Sequence, residues 1–514
     1  MSKKHDVIVI GAGHNGLTAA AFLAQKGKRV MVVERREVIG GLAAGHEFHP
    51  GYRSTGILHD TAGVRRWVVD GLRLEEHGLT IHPAPPPVFV PQRDGSGLQL
   101  WRDPDAAAQE LSLHSARDAD RYREYRAFLH RVAPVIRRLL DRPPPEIFES
   151  RFGDLFDLGR SALALRMLGK RDMMEVLRIV PMCVADYLGE WFDTELVKAA
   201  LAGPAIYSTW TGPWSPGSNL NLLRDEAQSA GPVKGGPQAL IAALERAAEA
   251  LGVEIRTGTE VERLELRHNK VAGIRLRGGD LLEATTVAAS CDPKHLFLEL
   301  LPSGSSPRQS ERNIVNYRAR GTTAKVNLAL SGYPKLAGRP DLTPAVIRTG
   351  ETIDELERAF DPVKYGQLSE EPVLDIQVPT IESPELAPAG HHVFSILVSF
   401  APYDLKGGWN VERKAELYQR VVAGLARYAP DLEAAIVGSE VLSPADLESR
   451  YGLSGGHLHH GEHSTDQLVV RPTPECARYG TPFEGLFVCG SGSHPGGGIT
   501  CAPGALAART MLRS

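Results

Sequence analysis

The chain opens on two kinds of hydrophobic pattern. Val7-Ile8-Val9-Ile10 is uniformly apolar and β-branched, as expected of a short strand buried on both faces. Leu17 to Lys26 then reads as an Ala-rich helix closed by Gly27, and Val30 to Val33 as a second apolar strand ended by Glu34. Further on, Val88 to Val90 and Leu98 to Trp101 predict strands either side of a turn at Asp94-Gly95. Ser115 to Leu140 is helical and heavily charged. Residues 155–203 continue as helices broken near Gly169, Pro181 and Phe192-Asp193. Residues 52–85 carry no clean period.

In the second half, Gly235-Gly236-Pro237 opens a helix to Leu251. Short strands follow at 253–255, 261–266, 271–276 and 286–289. Strands over 324–330, 373–378 and 391–399 alternate with helices over 353–360 and 412–428. The final strand, Gly485 to Gly490, leads through a glycine-rich turn to an Ala-rich helix beginning near Ala502.

Gly11-Ala12-Gly13-His14-Asn15-Gly16 lies between the first strand and the first helix, with Glu34 ending the next strand. This is G-x-G-x-x-G in the context that binds a dinucleotide. Gly11 permits the turn, Gly13 lets the backbone approach a pyrophosphate, and Gly16 allows close helix–strand packing. The helix end offers unpaired N–H groups to the anion. Glu34 can accept from ribose hydroxyls, and its charge would repel a 2′-phosphate.

Composition changes the picture little. The 514 residues are 42% hydrophobic and 23% charged, which fits a folded globular chain of two or three domains. A net charge of −4 carries no basic footprint for nucleic acid. No apolar run is long enough to span a membrane. Lys3-Lys4 ahead of an apolar stretch imitates a signal peptide, but His14 and Asn15 interrupt it. Five cysteines with no C-x-x-C pair argue against a disulfide framework, a dithiol relay or a Cys-type zinc site, and make the cytoplasm the default compartment.

Arg35 to Leu42, with Gly40-Gly41, resembles the extension that follows the fingerprint in the flavin amine oxidase and phytoene desaturase superfamily. The likeness continues through Ala185-Asp186-Tyr187-Leu188 with Phe192, Gly235-Gly236, His460-Gly461, Asp466-Gln467 and Arg471-Pro472. It is sharpest from Cys489-Gly490 to Gly498. The chain thus resembles the phytoene desaturase-type FAD oxidoreductases. More narrowly, it is similar to the branch of phytoene dehydrogenase-related or pyridine nucleotide-disulfide oxidoreductase domain-containing proteins.

That resemblance implies an α/β fold: a Rossmann-like FAD-binding domain from 1–85, 230–300 and 441–514, and a discontinuous α+β substrate domain with a helical cap from 86–229 and 301–440. It implies FAD contacts from Gly11, Gly13, His14, Asn15, Gly16, Glu34, Arg35, Gly40, Gly41, Leu42, Val261, Gly490, Ser491, Gly498 and Ile499. Gly498-Ile499 would lie beside the isoalloxazine, with the last helix pointing at its N1–C2=O edge. Gly490-x-Gly492 imitates a second fingerprint, but Pro495 and the short remaining chain argue against a separate nicotinamide site.

Several residues invite chemistry. His457 to His463 contains metal-ligating types, yet the glycines around it deny the regular spacing a metal needs, so a flavin-side or substrate-side loop is preferred, with His460 its leading member. His494 reads either as a proton shuttle or as a backbone anchor. Tyr207, Trp210 and Trp214 read as walls of a substrate tunnel or as core. Cys501 sits where a helix end would lower its pKa. Leu155 to Val180 carries Arg160, Arg166, Lys170, Arg171 and Arg178 among Leu and Met, and reads as a cap helix or a membrane-surface helix.

The implied activity is FAD-dependent dehydrogenation of a hydrophobic small molecule, with electrons passed to oxygen or a quinone. Amine oxidation, redox-neutral isomerisation and a non-catalytic flavoprotein scaffold are the alternatives. Fold and cofactor leave the substrate open.

Overall fold

A computed structural model describes residues 5–144, 159, 163–228 and 230–513. Five short strands build a wholly parallel sheet in the order Leu486–Val488, Thr286–Ala289, Val7–Ile10, Val30–Val33, Glu254–Arg256. All four residues of Val7–Ile10 and of Val30–Val33 are buried, because helices and loops cover both faces. The first helix, His14–Gln25, packs between the last helix, Ala502–Met511, and the helix Gly236–Ala250. Small side chains permit that approach: Ala19, Ala20 and Ala21 meet Ala505, Leu506 and Ala508 in one core.

A three-stranded antiparallel sheet, Leu281–Glu283, Lys270–Leu276 and Val261–Arg267, stands beside it. Together these elements give the expected helix–strand–hairpin–strand order. The carboxyl ends of Val7–Ile10, Val30–Val33 and Thr286–Ala289 face one crevice, where ligands sit in open α/β sheets.

The second large sheet has seven strands in the order Ile436–Leu442, Thr323–Leu330, His392–Ser399, Leu374–Gln377, Val346–Arg348, Val88–Pro91, Gly97–Leu100. Val346–Arg348 pairs with Val88–Pro91 in parallel; the other pairs are antiparallel. Val346–Arg348 and Ile436–Leu442 carry no strong apolar run and escaped the sequence reading. The expected division after residue 440 falls inside Ile436–Leu442, whose Val441 and Leu442 stay paired with Val326 and Lys325. Helices from Pro104–Ser112 to Ser218–Gln228 form a cap with its own core, in which Tyr125 meets Phe192 edge-on and Tyr187 at a tilt.

The basic helix expected over 155–180 lies partly outside the described residues. Within its described residues, the helix Gly169–Ile179 packs Val176 and Ile179 inward and exposes Lys170, Arg171, Met174 and Leu177. Among the described residues, no helix is long and apolar enough to cross a membrane.

Candidate functional site

Three cavities matter, and the glycine motifs line the first two. The first lies at the carboxyl ends of the parallel strands. Gly11, Gly13, His14, Asn15, Glu34, Arg35, Gly41, Leu42, Val261, His460 and Ser491 all line it. Of the expected contacts, Gly498 and Ile499 lie elsewhere, and Gly16, Gly40 and Gly490 do not line it either. A Cβ on Gly16 would overlap the carbonyl oxygen of Gly11, and one on Gly490 the carbonyl oxygen of Ser290. Gly40 bridges to Gly13 and donates its N–H to Ala12 O at 2.8 Å. These three are packing glycines that shape the wall without forming it.

The donor and acceptor set fits FAD. The first helix begins at Gly13 with no side-chain cap, so its leading N–H groups are free for a phosphate. A Cβ at Gly13 would project into open space, which is the room a pyrophosphate requires. The Glu34 carboxylate accepts from Ala12 N–H at 2.9 Å and Arg36 N–H at 3.0 Å. Those bonds orient it and leave each oxygen a further lone pair for ribose hydroxyls. Arg36 stacks on Tyr451, 4.7 Å from the ring centre, closing the rim. The Asn15 amide donates to Ser491 Oγ at 3.2 Å, joining the first glycine motif to the last.

The second cavity is the inner chamber. Gly497, Gly498, Ile499 and Thr500 form one wall; Tyr207, Asn221, Arg224 and Asp225 of the cap form another; His59, Arg348 and Asp375 come from the sheet side. Gly498 and Ile499 therefore face this chamber rather than the first cavity. It shares His59, Asp60, Asp225, Arg348 and Asp375 with a third, larger cavity, whose lining includes Pro85, Val88, Leu100, Leu201, Leu222 and Val378. This larger cavity, the tunnel, has a mixed lining, with Arg102, Arg126, Glu226 and Glu382 among its apolar residues, and it shares a charged end with the chamber.

The polar end is highly organised. Asp375 accepts from Arg348 Nε at 3.0 Å and pairs with His59 Nε2 at 3.2 Å. The other nitrogen of His59 lies 3.3 Å from Nζ of Lys325, which also donates to Ser395 Oγ at 2.7 Å. Lys325 donates at both ends, so His59 accepts at Nδ1 and carries its proton on Nε2, aimed at the carboxylate. Burial would raise Asp375, but Arg348 and His59 override it and hold the acid well below the usual carboxylate range. Burial pushes Lys325 down to about 7.

Asp225 differs from its neighbours. It lines both the chamber and the tunnel, and among the described residues its carboxylate makes no hydrogen bond. Burial, with Asp60 and Glu226 nearby, pushes it up to about 6, although Arg102 and Arg348 oppose the shift. Glu226 beside it is held by Arg102 and Arg126 at 2.9 and 2.8 Å.

Several expectations change. His494 makes the contacts of an anchor: its Nε2 meets Leu139 O at 3.2 Å and its own carbonyl accepts from Tyr479, which ties the glycine loop to the cap. Burial pushes it down to about 4. His460 does line the cofactor cavity, in a left-handed conformation (φ 53°), and burial with Arg471 nearby pushes it down to about 4. Tyr207 borders the chamber, but Trp210 and Trp214 do not. Trp210 stacks under Arg320 at 3.8 Å and edge-on to Phe360, while Trp214 is exposed and bonded to Glu357 and Asp354. Burial pushes the Cys501 thiol up to about 12, not down. His459 and His463 stack at 4.6 Å, and no group of three His, Cys, Asp or Glu side chains is placed to hold a metal among the described residues.

Lys325, His59, Asp225, Arg348 and Asp375 were missed by the sequence reading. Their one signal is a lone charge inside an apolar strand, as in Thr323–Leu330 and Leu374–Gln377. His59 and Asp60 lie in a stretch without periodicity.

Comparison with known proteins agrees with this geometry. The family model for flavin containing amine oxidoreductases matches residues 16–508. Pyridine nucleotide-disulfide oxidoreductase domain-containing protein 2 of Rattus norvegicus is 32% identical over 100% of this chain and 94% of its own length. Hydroxyneurosporene desaturase of Rhodobacter capsulatus is 27% identical over 100% of this chain and 98% of its own. Among solved structures, cyclohexylamine oxidase from Brevibacterium oxydans shares the fold with a TM-score of 0.56 at 14% identity, covering 99% of this chain and 97% of that one. The chain belongs to the flavin containing amine oxidoreductase family and is an FAD-dependent oxidoreductase.

Proposed function

We propose that this enzyme dehydrogenates a small organic molecule whose apolar body occupies the tunnel and whose reacting end reaches the inner chamber, with electrons passing on to oxygen or a quinone. The continuity of a large, partly apolar cavity with a chamber walled by Gly497 to Thr500 carries this reading. The likeness to a hydroxyneurosporene desaturase supports it. Bound FAD supplies a two-electron, hydride-accepting centre.

The protein's own contribution is positional and electrostatic. The tunnel walls exclude water and hold the substrate's carbon skeleton in one orientation. The Asp225 carboxylate, without a hydrogen bond among the described residues and raised by burial, receives the proton that leaves the substrate. Asp375 is unsuited to that task, because Arg348 and His59 lower its basicity and occupy both its oxygens. Instead the Arg348–Asp375–His59–Lys325 chain fixes the floor of the chamber. Exposed Met174 and Leu177 beside Lys170 and Arg171 support peripheral contact with a membrane, a source of apolar substrate.

Amine oxidation is the second reading, favoured by the Asp60 and Asp225 carboxylates at the chamber end. Anaerobic titration of the FAD-loaded enzyme with a terpenoid alkene and with an alkylamine separates the two. Bleaching of the flavin by the alkene supports desaturation, and bleaching by the amine alone supports amine oxidation. A protein that neither retains nor takes up FAD would sink both.

A further inference from the structure

Beside the Gly497–Gly498 wall, two buried guanidiniums, those of Arg224 and Arg471, make no ion pair with a carboxylate among the described residues. His463 Nδ1 lies 3.1 Å from Nη1 of Arg224, and its Nε2 lies 3.0 Å from the N–H of Gly497. Both neighbours are obligate donors, whereas a neutral imidazole offers one acceptor nitrogen. Burial and Arg224 hold His463 well below its ordinary pKa, so it is neutral. One of the two donors therefore goes unanswered. Nε of Arg224 and Nη1 of Arg471 are also buried without a partner. The remaining bonds of both arginines run to main-chain carbonyls: Gly497 for Arg224, and Gly492, His459, Gly461 and Ser491 for Arg471. Among the described residues, neither pairs with a carboxylate. Asp225 stands next in sequence to Arg224 but makes no hydrogen bond to it.

Buried charge without a counter-ion is strongly unfavourable, and a wall of surplus donors is complementary to an oxyanion. The guanidinium plane matches a delocalised, planar anion in particular. We propose that Arg224, backed by Arg471, makes this wall of the inner chamber an oxyanion site, with Arg224 the residue that meets the anion. Two sources offer that chemistry: the negative charge a reduced flavin spreads over its N–C=O edge, and a carboxylate carried by the substrate. The inference rests on the flavin reading above and adds to it a specific charge requirement.

The test uses the FAD-loaded full chain with two probes. Sulfite adds its sulfur lone pair to the oxidised flavin, placing a negative charge on the ring without any substrate. Benzoate binds as a planar carboxylate and is read through the flavin absorbance. If the cofactor is the source, R224Q binds sulfite at least tenfold more weakly, and a tenfold loss of hydroquinone stabilisation lowers the two-electron midpoint potential by about 30 mV. R224K recovers most of both losses, and benzoate leaves every spectrum unchanged. If the substrate is the source, the wild type binds benzoate and R224Q loses at least tenfold in that affinity, with sulfite binding unaltered. An R224Q enzyme with full FAD content and wild-type affinity for both probes overturns the proposal. Should R224Q not hold FAD, the wild type still decides, since an enzyme that takes neither sulfite nor benzoate overturns it too. A chain that never binds flavin fails the underlying reading instead, and flavin content reports this before either titration.

Discussion

The side chain of Asn15 donates a hydrogen bond to Ser491 across 476 positions of sequence, at 3.2 Å. One residue lies in the first turn of the first helix and the other in the last glycine loop, and both line the cofactor cavity. The bond closes the cavity's two halves on each other. A single neutral hydrogen bond is worth about 1 kcal/mol, or roughly fivefold in affinity. N15A and S491A should each weaken FAD binding by about that factor, with little further loss in the double variant. Release of fluorescent FAD on dilution measures it, and additive losses would deny that the two residues act together.

Gly13 and Gly16 should fail differently. Valine at position 13 meets open space in the protein and fills the room left for a phosphate. G13V is expected to fold with the melting temperature of the flavin-free wild type and to purify colourless. Valine at position 16 runs into the carbonyl of Gly11, so G16V should lower the melting temperature markedly or prevent folding. Circular dichroism and the visible spectrum together check both.

Removal of the Asp225 carboxylate should cost catalysis and not flavin content. D225N is expected to slow flavin reduction by about 10²–10⁴-fold, the usual range for losing a general base. The wild-type reduction rate should fall as pH drops through about 6, where the carboxyl takes up its proton. D225N should lack that limb. Stopped-flow reduction across pH 5 to 8 reads both, and an unchanged limb in D225N would assign it to another group.

Lys325 leaves a signature in stability. Its folded pKa lies near 7 and its ordinary value is 10.5. Between those values the unfolded chain binds a proton that the folded chain refuses, so stability rises with pH across the window and is flat below about 7. Relative to K325M, the wild type should gain up to about 2 kcal/mol between pH 7 and 9. Denaturant midpoints at the two pH values test this, and parallel behaviour of the two proteins would place the charged amine in a solvated setting.

Cys501 should leave the flavin unattached. Its thiol, buried and pushed up to about 12, stays protonated and unreactive at neutral pH. Acid precipitation is expected to release all the FAD into the supernatant. Flavin remaining with the pellet, and lost from it in C501S, would show a covalent bond.

Much of the cofactor side was legible in the chain because its residues act through local backbone geometry. Gly11 to Gly16 dictate a strand–turn–helix, and Glu34 follows at a fixed distance because one helix and one strand intervene. Valine and isoleucine runs of four announced a buried parallel sheet. The chamber was not legible, since its groups come from places with no shared pattern: His59 and Asp60 from an irregular segment, Arg224 and Asp225 from a cap helix, Arg348 and Asp375 from neighbouring strands, and Gly497 to Thr500 from the final loop. Sequence alone left Tyr207, Trp210 and Trp214 as tunnel walls or core, whereas tertiary packing set Trp210 against Arg320 and turned Trp214 outward. Local chemistry determines what a turn or a strand can be. Which charges share a buried space depends on long-range packing, because only burial makes an unpaired Asp225 or Arg224 matter.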